Sequence, residues 1–318
     1  MDDTVTNKDL NLGHRAMGVP NNVMDTGFKV LVAATVVLLV GFGVYYFVGR
    51  YYHSGPTVVD ADLRQMEERV IQDPQNPDAR VMVAWAYLDK GATAQAVAQF
   101  NEALKLRENY QAALIGKGTA LFRANDMAGA LQPLEQVAEI NKSNPYKRTL
   151  RELQSVYYYL GAIYAQQGRH EDAVNSYLEA LDIDRADADS LYGLGMVYVQ
   201  QNKLDDAAPL LEMAIRFDPV FVDGYNGLAT VYEKQGKMGQ LFWVRGMLSF
   251  SQEKYQDALD HLSKSLRLTT DLPEVYQAQG MVFEKMGRTG EALGAYQMAL
   301  EKDPSLLVAQ SGAARLSR

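Results

Sequence analysis

The chain has 318 residues, no cysteine and a formal net charge of −8 at pH 7. The absence of cysteine excludes disulfides, thiolate catalysis and cysteine-ligated zinc, and it is compatible with an oxidising compartment. Residues 1–53 carry four basic and four acidic side chains, so the acidic excess lies in the remainder of the chain. Because nucleic-acid binding depends on a basic surface, this charge argues against a nucleic-acid partner.

The N-terminal part of the sequence predicts a polar tail followed by a membrane anchor. Residues 1–27 are polar and lack helical periodicity, which predicts a disordered tail. The uncharged run at residues 30–48 would span about 28 Å as a helix, close to the ~30 Å hydrocarbon core of a bilayer. Lys29 and Arg50 flank this run, and four tyrosines lie near its C-terminal end. We therefore predict a single transmembrane helix at residues 28–49, through which the protein contacts the lipid bilayer.

Two other interpretations of this apolar run are less consistent with the sequence. A cleaved signal peptide is disfavoured because the preceding tail is long and no Ala-x-Ala site follows. A buried core helix is disfavoured because the neighbouring sequence supplies no matching core. The flanking charges nearly balance, but Lys8 and Lys29 favour a cytoplasmic N-terminus. The rest of the chain is then expected outside the cytoplasm.

A short linker and an amphipathic helix follow the predicted anchor. Residues 50–59 contain Gly55-Pro56 and are interpreted as a linker. Residues 60–72 place Leu63, Met66 and Val70 on one helical face, and the helix should end at Asp73-Pro74.

The stretch from Ala188 to Pro219 sets the pattern for the remaining chain. Its large apolar residues recur at helical spacing in two segments, which a polar turn around Asn202 separates. Small residues stand where two helices would cross closely, at Gly195 and Ala207. The pattern recurs at 34-residue spacing, with further copies starting near residues 77, 111, 154, 222 and 273, and a last segment begins at residue 307.

This recurring pattern resembles the tetratricopeptide repeat (TPR), a 34-residue helix–turn–helix. The resemblance covers residues 60–318 and implies an all-α TPR solenoid of about six to seven repeats with capping helices, each repeat burying its apolar face on its neighbours. The helix at residues 60–72 resembles the second half of a repeat and would cap the N-terminal edge. Arg80, Ala84 and Lys117 depart from the usual pattern.

The repeat period is broken at two places. The second and third copies are 43 residues apart, and the extra residues include Pro145, so a loop should precede a lengthened helix through Tyr157. Near Gly239 the motif restarts after only 17 residues, as if one second helix were missing. We predict a bend of the solenoid at residues 236–252.

No catalytic, cofactor-binding or metal-binding constellation is predicted. His14 and His53 flank the predicted anchor, while His170 and His261 fall at positions expected to face solvent. The run of aspartates at residues 182–189 lacks the glycine and terminal glutamate of a calcium loop, and aspartate is favoured as a cap at such a turn. No phosphate-binding loop or nucleophile motif is present, so we expect that the protein is not an enzyme.

The TPR resemblance implies a concave groove lined by the first helices of the repeats. Aromatic and methionine side chains in such a groove would suit an apolar or helical segment of a protein partner. The predicted groove residues are Val81, Trp85, Ile115, Phe122, Tyr158, Tyr192, Met196, Val199, Trp243, Met247 and Met281. The alternative is that some of them pack between neighbouring helices.

One function of the TPR family is excluded by the residues at the groove positions. Co-chaperones that bind a C-terminal Glu-Glu-Val-Asp tail use lysine and asparagine at two such positions in a repeat. Here those positions hold Val81 and Trp85 in the first repeat, and Ile115 and Thr119 in the second. The carboxylate clamp is therefore absent.

The sequence favours a membrane-tethered scaffold or adaptor that holds unidentified partner proteins beside a bilayer. Its architecture resembles bacterial inner-membrane proteins that help assemble envelope complexes, including cytochrome c maturation subunits. We therefore expect a bacterial inner membrane with the TPR domain extracytoplasmic. The alternatives are a holding chaperone for exposed apolar segments and a regulator of lipid or saccharide biosynthesis.

Overall fold

A computed structural model describes residue 35 and residues 38–42, 58–269 and 272–317. The chain divides into two compact units, residues 1–65 and 66–318. In the first unit, Thr35 and residues 38–42 are helical, and the large apolar side chains among them are 59–72% exposed. No helix among the described residues has the length and apolar character needed to cross a membrane. Most of the predicted anchor at residues 28–49 lies outside the described residues, as do the tail at 1–27 and residues 50–57, so the structure gives the anchor no support.

From residue 58 onward the described chain consists of α-helices joined by short turns, with one 3₁₀ turn and no strand. The helices are α1 (Val58–Gln72), α2 (Pro77–Asp89), α3 (Thr93–Leu106), α4 (Gln111–Arg123), α5 (Met127–Asn141), α6 (Glu152–Gln166), α7 (His170–Ile183), α8 (Ala188–Gln200), α9 (Leu204–Phe217), α10 (Val222–Gln235), α11 (Met238–Ser251), α12 (Tyr255–Leu268), α13 (Pro273–Lys285), α14 (Thr289–Lys302) and α15 (Leu307–Leu316). The predicted all-α repeat fold is confirmed.

The helices form pairs, and the pairs stack side by side. Helices α2, α4, α6 and α8 each pack against the helix that follows, and each also lies beside the first helix of the next pair. The pairs α11–α12 and α13–α14 repeat this arrangement, and α15 packs on α13 and α14 as a lone first helix. The apolar core runs between the two layers, with the fully buried Phe100, Leu134, Leu211 and Leu262 all on second helices.

A shared turn geometry connects the two helices of a pair. In each such turn one residue adopts a left-handed conformation, with φ between 58° and 73°. The backbone N–H of this residue donates a hydrogen bond to a carbonyl oxygen near the end of the preceding helix. Glycine tolerates this conformation best, and Gly91, Gly168 and Gly287 occupy it. Asparagine is the next most tolerant residue, and Asn125 and Asn202 occupy it in two other pairs.

Helix α11 belongs to two pairs at once. The turns on both sides of it, at Gly236 and Glu253, have the within-pair geometry. By its connection α11 is therefore the second helix after α10. By its packing it is the first helix before α12, because it lies beside α13. This double role explains why the motif restarts after 17 residues. The bend at residues 236–252 stays a prediction.

The insertion before α6 is also explained. Residues 142–151 form a loop with a 3₁₀ turn at Lys147–Thr149, and α6 has 15 residues, two more than α8. The loop is held to α7 by Lys147, whose Nζ lies 2.8 Å from a carboxylate oxygen of Glu179, and by an ion pair between Arg148 and Asp182.

Tyrosine–glutamate hydrogen bonds connect first helices to the second helix before them. The phenol donates to a carboxylate oxygen at 2.6–2.7 Å in the pairs Tyr87–Glu67, Tyr164–Glu135 and Tyr232–Glu212. Glu67 lies on α1, so one of these bonds joins α1 to α2. The role predicted for α1, the second half of a repeat that caps the array, stays a prediction.

We expect the substitution Tyr232→Phe to lower the free energy of unfolding by about 1.5–3 kcal/mol, because it removes a hydrogen bond to a charged group. Tyr232 is 3% exposed, so the ring is retained in the core while only the hydroxyl is lost. The matched control is Tyr198→Phe, one repeat earlier, where the residue twenty positions before is Leu178 rather than a glutamate. Urea denaturation of both variants measures the difference, and equal losses would contradict the role of the bond.

Candidate partner-binding surface

The predicted groove residues all lie on first helices, but they differ in exposure. Four of them are buried in the hydrophobic core, with Val81, Val199, Trp243 and Met247 only 5–7% exposed. Val81 packs with the core around Phe100, and the other three belong to the core cluster that surrounds α10 and α11. These four side chains offer little surface to a partner.

The other seven predicted groove residues are half-buried, which leaves part of each side chain accessible. They are Trp85, Ile115, Phe122, Tyr158, Tyr192, Met196 and Met281. Trp85 contacts Phe100 edge to face, with ring centroids 5.7 Å apart. Met196 packs against Gly227 of the adjacent first helix, because a Cβ built on that glycine would lie 3.3 Å from the methionine sulfur. Binding by these residues stays a prediction.

Helices α4 and α6 bring three aromatic side chains into one group. Phe122 lies 6.4 Å from Tyr158 and 4.3 Å from Tyr159, measured between ring centroids. The two tyrosines are 5.5 Å apart. Because Phe122 lies in the last turn of the first helix of one repeat and the tyrosines lie on that of the next, the group continues across the boundary between repeats.

A second aromatic contact lies two repeat boundaries further along the chain, between α8 and α10. Tyr192 and Phe221 are 5.5 Å apart and nearly perpendicular. Phe221 is not among the predicted groove residues, because it is the N-cap of α10 and lies outside the positions counted along a helix. Tyr159 is not among them either, because the groove positions assign only its neighbour Tyr158. The signal for Phe221 was a large aromatic residue in the turn between α9 and α10.

Tyr177 of α7 packs in the core beneath this row of aromatic residues. Its ring is 3% exposed and lies 6.2 Å from the Tyr158 ring. Ideal Cβ atoms built on Gly161 of α6 and Gly193 of α8 would lie only 2.8 Å and 2.4 Å from its atoms. The two glycines therefore make room for one ring between adjacent first helices.

Four carboxylates lie at the N-terminal ends of α8 and α10, beside these aromatic residues. Asp187 caps α8 by accepting the Ser190 N–H at 2.9 Å, and Asp189 lies in its first turn. Asp223 lies in the first turn of α10. Asp218 lies in the turn before α10, where it is the C-cap of α9 and accepts the Val220 N–H at 3.1 Å. We call Tyr158, Tyr192 and Phe221 together with these four carboxylates the aromatic–acidic surface.

The carboxylates influence one another and the phenols. Desolvation, together with the charges of Asp187, Asp218 and Asp223, raises the pKa of Asp189. Desolvation, followed by the charges of Asp189 and Asp187, raises the pKa of Tyr158 to about 12. Desolvation and the charge of Asp223 raise the pKa of Tyr192. The phenols therefore stay protonated and neutral at physiological pH.

The structure describes two of the four histidines, and both are only partly exposed. His170 and His261 are half-buried, and the Nδ1 atom of each is buried without a hydrogen bond. Both side chains are therefore partly accessible to solvent, and the His261 ring stacks on Phe242, with centroids 6.0 Å apart. Desolvation, with the charges of Lys264 and Arg245, lowers the pKa of His261.

Aspartates of the run at residues 182–189 accept backbone N–H groups in the turn between α7 and α8. Asp184 accepts the Ala186 N–H at 3.0 Å, in addition to the cap by Asp187. Over the described residues, no group of three or more histidine, aspartate or glutamate side chains is arranged to hold a metal ion. His14 and His53 lie outside the residues that the structure describes.

Comparisons with known proteins identify the repeats. Residues 161–201 match a family model described as TPR repeat, and residues 81–145 and 192–240 match one described as tetratricopeptide repeat. No curated protein matches the chain.

Several solved structures share a similar arrangement of helices. YrrB, described as a TPR protein with an unusual peptide-binding site, is 16% identical with a TM-score of 0.46, over 67% of this chain and 97% of that one. A tetratricopeptide repeat protein from Parabacteroides merdae is 16% identical with a TM-score of 0.43, over 76% and 99%. PilF of Pseudomonas aeruginosa is 16% identical with a TM-score of 0.43, over 75% and 97%. At these values the similarities carry no argument about function.

The matched residues lie in two stretches, one from α2 to α5 and one from α6 to the start of α11. Within each stretch the first helices follow one another at 34-residue spacing. Within these stretches the chain is built of tetratricopeptide repeats, and they form an all-α solenoid.

Proposed function

We propose that the protein is a membrane-tethered interaction scaffold that binds segments of partner proteins on the face built by its first helices, and that it assists the assembly of an envelope or membrane complex. The observation that carries this proposal is the row of half-buried aromatic side chains across consecutive first helices, at Phe122, Tyr158 and Tyr192. Partly exposed aromatic residues on a rigid scaffold are the residues that dominate the binding energy of protein interfaces.

The tethering part of the proposal rests on the sequence. The uncharged run at residues 30–48 has the length of a membrane span, and Lys29 and Arg50 flank it. The exposed apolar side chains at residues 38–42 would be covered by lipid in that setting. With a cytoplasmic N-terminus, the repeats would lie on the extracytoplasmic side of a bacterial inner membrane. Protease accessibility of the repeats in intact cells and in inverted membrane vesicles tests this orientation.

Cross-linking in intact membranes followed by purification tests the scaffold. The variant Phe122→Ala with Tyr192→Ala removes two aromatic side chains from different repeats without touching the fully buried core. The matched control is Leu178→Ala with Met298→Ala, two apolar residues of second helices that are 48% and 43% exposed. Circular dichroism verifies that both variants remain helical.

We expect the aromatic variant to lose a discrete set of partners that the wild type and the control retain. An identical partner set in all three proteins would refute binding at this face. The locations of the partners also test the proposed side of the membrane.

The second candidate is a holding chaperone, because the same half-buried aromatic row would also bind exposed apolar segments of unfolded clients. A chaperone should suppress the aggregation of several unrelated unfolded proteins at similar concentrations. A scaffold should bind one or two partners with defined stoichiometry and leave that aggregation unchanged.

A further inference from the structure

The aromatic–acidic surface differs in charge from the rest of the face built by the first helices. Because α8 and α10 are adjacent first helices, their first turns lie side by side, and Asp189 and Asp223 occupy equivalent positions 34 residues apart. On the first helices α4 and α10, the basic residues Arg123 and Lys234 lie at or near the C-terminal ends. Negative charge is thus concentrated at the N-terminal ends of α8 and α10.

These carboxylates are not neutralised by the protein itself. Among the described residues, none of Asp187, Asp189, Asp218 and Asp223 forms an ion pair within 4.0 Å of a lysine, arginine or histidine nitrogen. Other surface carboxylates of the chain do have such partners, for example Asp172 with Arg169 at 2.8 Å. Desolvation, and after it the charges of Asp187, Asp218 and Asp223, raises the pKa of Asp189.

We propose that the aromatic–acidic surface binds a partner segment that presents arginine or lysine side chains to the four carboxylates and packs its apolar side chains on Tyr158, Tyr192 and Phe221. Charge complementarity carries this choice of partner. Arginine suits the site best, because a guanidinium binds carboxylates in a bidentate manner and also stacks on aromatic rings.

The geometry also gives the spacing of the basic side chains. Adjacent packed helices are about 8–10 Å apart, and an extended segment advances about 3.3 Å per residue. About two or three residues of an extended partner segment therefore span the distance from α8 to α10. If basic residues occur at about every third position of that segment, one can lie near the first turn of α8 and the next near the first turn of α10. This inference rests on the proposed function, because it specifies the partner of the same face.

The test measures binding of fluorescent peptides to the detergent-solubilised full chain by anisotropy. The basic probe consists of four Arg-Leu-Ala repeats, and its counterpart has glutamate in place of every arginine. The variant Asp187→Asn with Asp189→Asn and Asp223→Asn removes three negative charges from the surface. Asparagine retains the capping ability of residue 187.

The matched control removes the same number of charges elsewhere. It combines Glu171→Gln, Asp206→Asn and Asp257→Asn, which are exposed residues in the first turns of the second helices α7, α9 and α12. We expect wild type and control to bind the basic probe at least about tenfold more tightly than the triple surface variant, and to prefer it to the acidic probe. Equal binding by the two triple variants, or no preference for the basic probe, would overturn the inference.

The membrane cross-linking experiment separates failure of this inference from failure of the scaffold. If the Phe122→Ala, Tyr192→Ala variant loses its partners but the triple aspartate variant keeps them, the scaffold stands and the basic partner is refuted. If both variants keep every partner, the proposed function itself fails.

Discussion

Replacing Tyr177 with alanine is expected to lower the free energy of unfolding by about 3–5 kcal/mol, the usual effect of removing a large aromatic ring from a core. The site cannot collapse easily, because the ring fills the space that Gly161 and Gly193 leave on two adjacent first helices. The loss should be measured by urea denaturation followed by circular dichroism, with attention to whether the transition splits, since repeats of a solenoid can unfold separately.

The substitution Tyr177→Phe is the matched control, because it keeps the ring and removes only the hydroxyl. We expect a change of less than about 1 kcal/mol from it. Since the Tyr177 ring lies 6.2 Å from that of Tyr158, the alanine variant should also weaken binding at the aromatic–acidic surface. If the alanine variant were as stable as the phenylalanine variant, the ring of Tyr177 would not be needed to fill the space beside Gly161 and Gly193.

Replacing Gly116 with alanine should lower the free energy of unfolding by about 1–3 kcal/mol, although alanine favours helices more than glycine does. An ideal Cβ at Gly116 would lie 2.2 Å from Cζ of Phe100, a fully buried ring on the preceding second helix. The ring cannot move away without disturbing the core. Trp85 packs edge to face on the same ring, so its fluorescence should report the disturbance in a Trp243→Phe background.

The same substitution at Gly294 is expected to have the opposite sign. This residue lies inside α14, and a Cβ built on it meets no other atom within 4 Å. Alanine there should raise the free energy of unfolding by about 0.5–1 kcal/mol through helix propensity alone. Destabilisation at both positions would contradict the packing argument, as would stabilisation at both.

The predicted groove residues differ in accessibility even where the repeats are regular, since Val81 and Val199 are buried there. Phe122, Tyr158 and Tyr192 are half-buried and contact aromatic residues across the boundaries between repeats. Counting positions along one helix could not reveal Phe221, which reaches the surface from a turn. It also could not anticipate the burial of Trp243 and Met247, because α11 packs as the second helix after α10 and as the first helix before α12.

The sequence by itself determined the repeat period, the helix pairs and the two irregularities. The reason is local: apolar residues at helical spacing, with glycine and alanine at the close crossings, specify a helix pair without reference to the rest of the chain. Only the tertiary structure decided which side chains remain accessible and which carboxylates lie together. Exposure and charge crowding depend on neighbouring repeats, as when Asp189 and Asp223, 34 residues apart, meet at the adjacent first turns of α8 and α10.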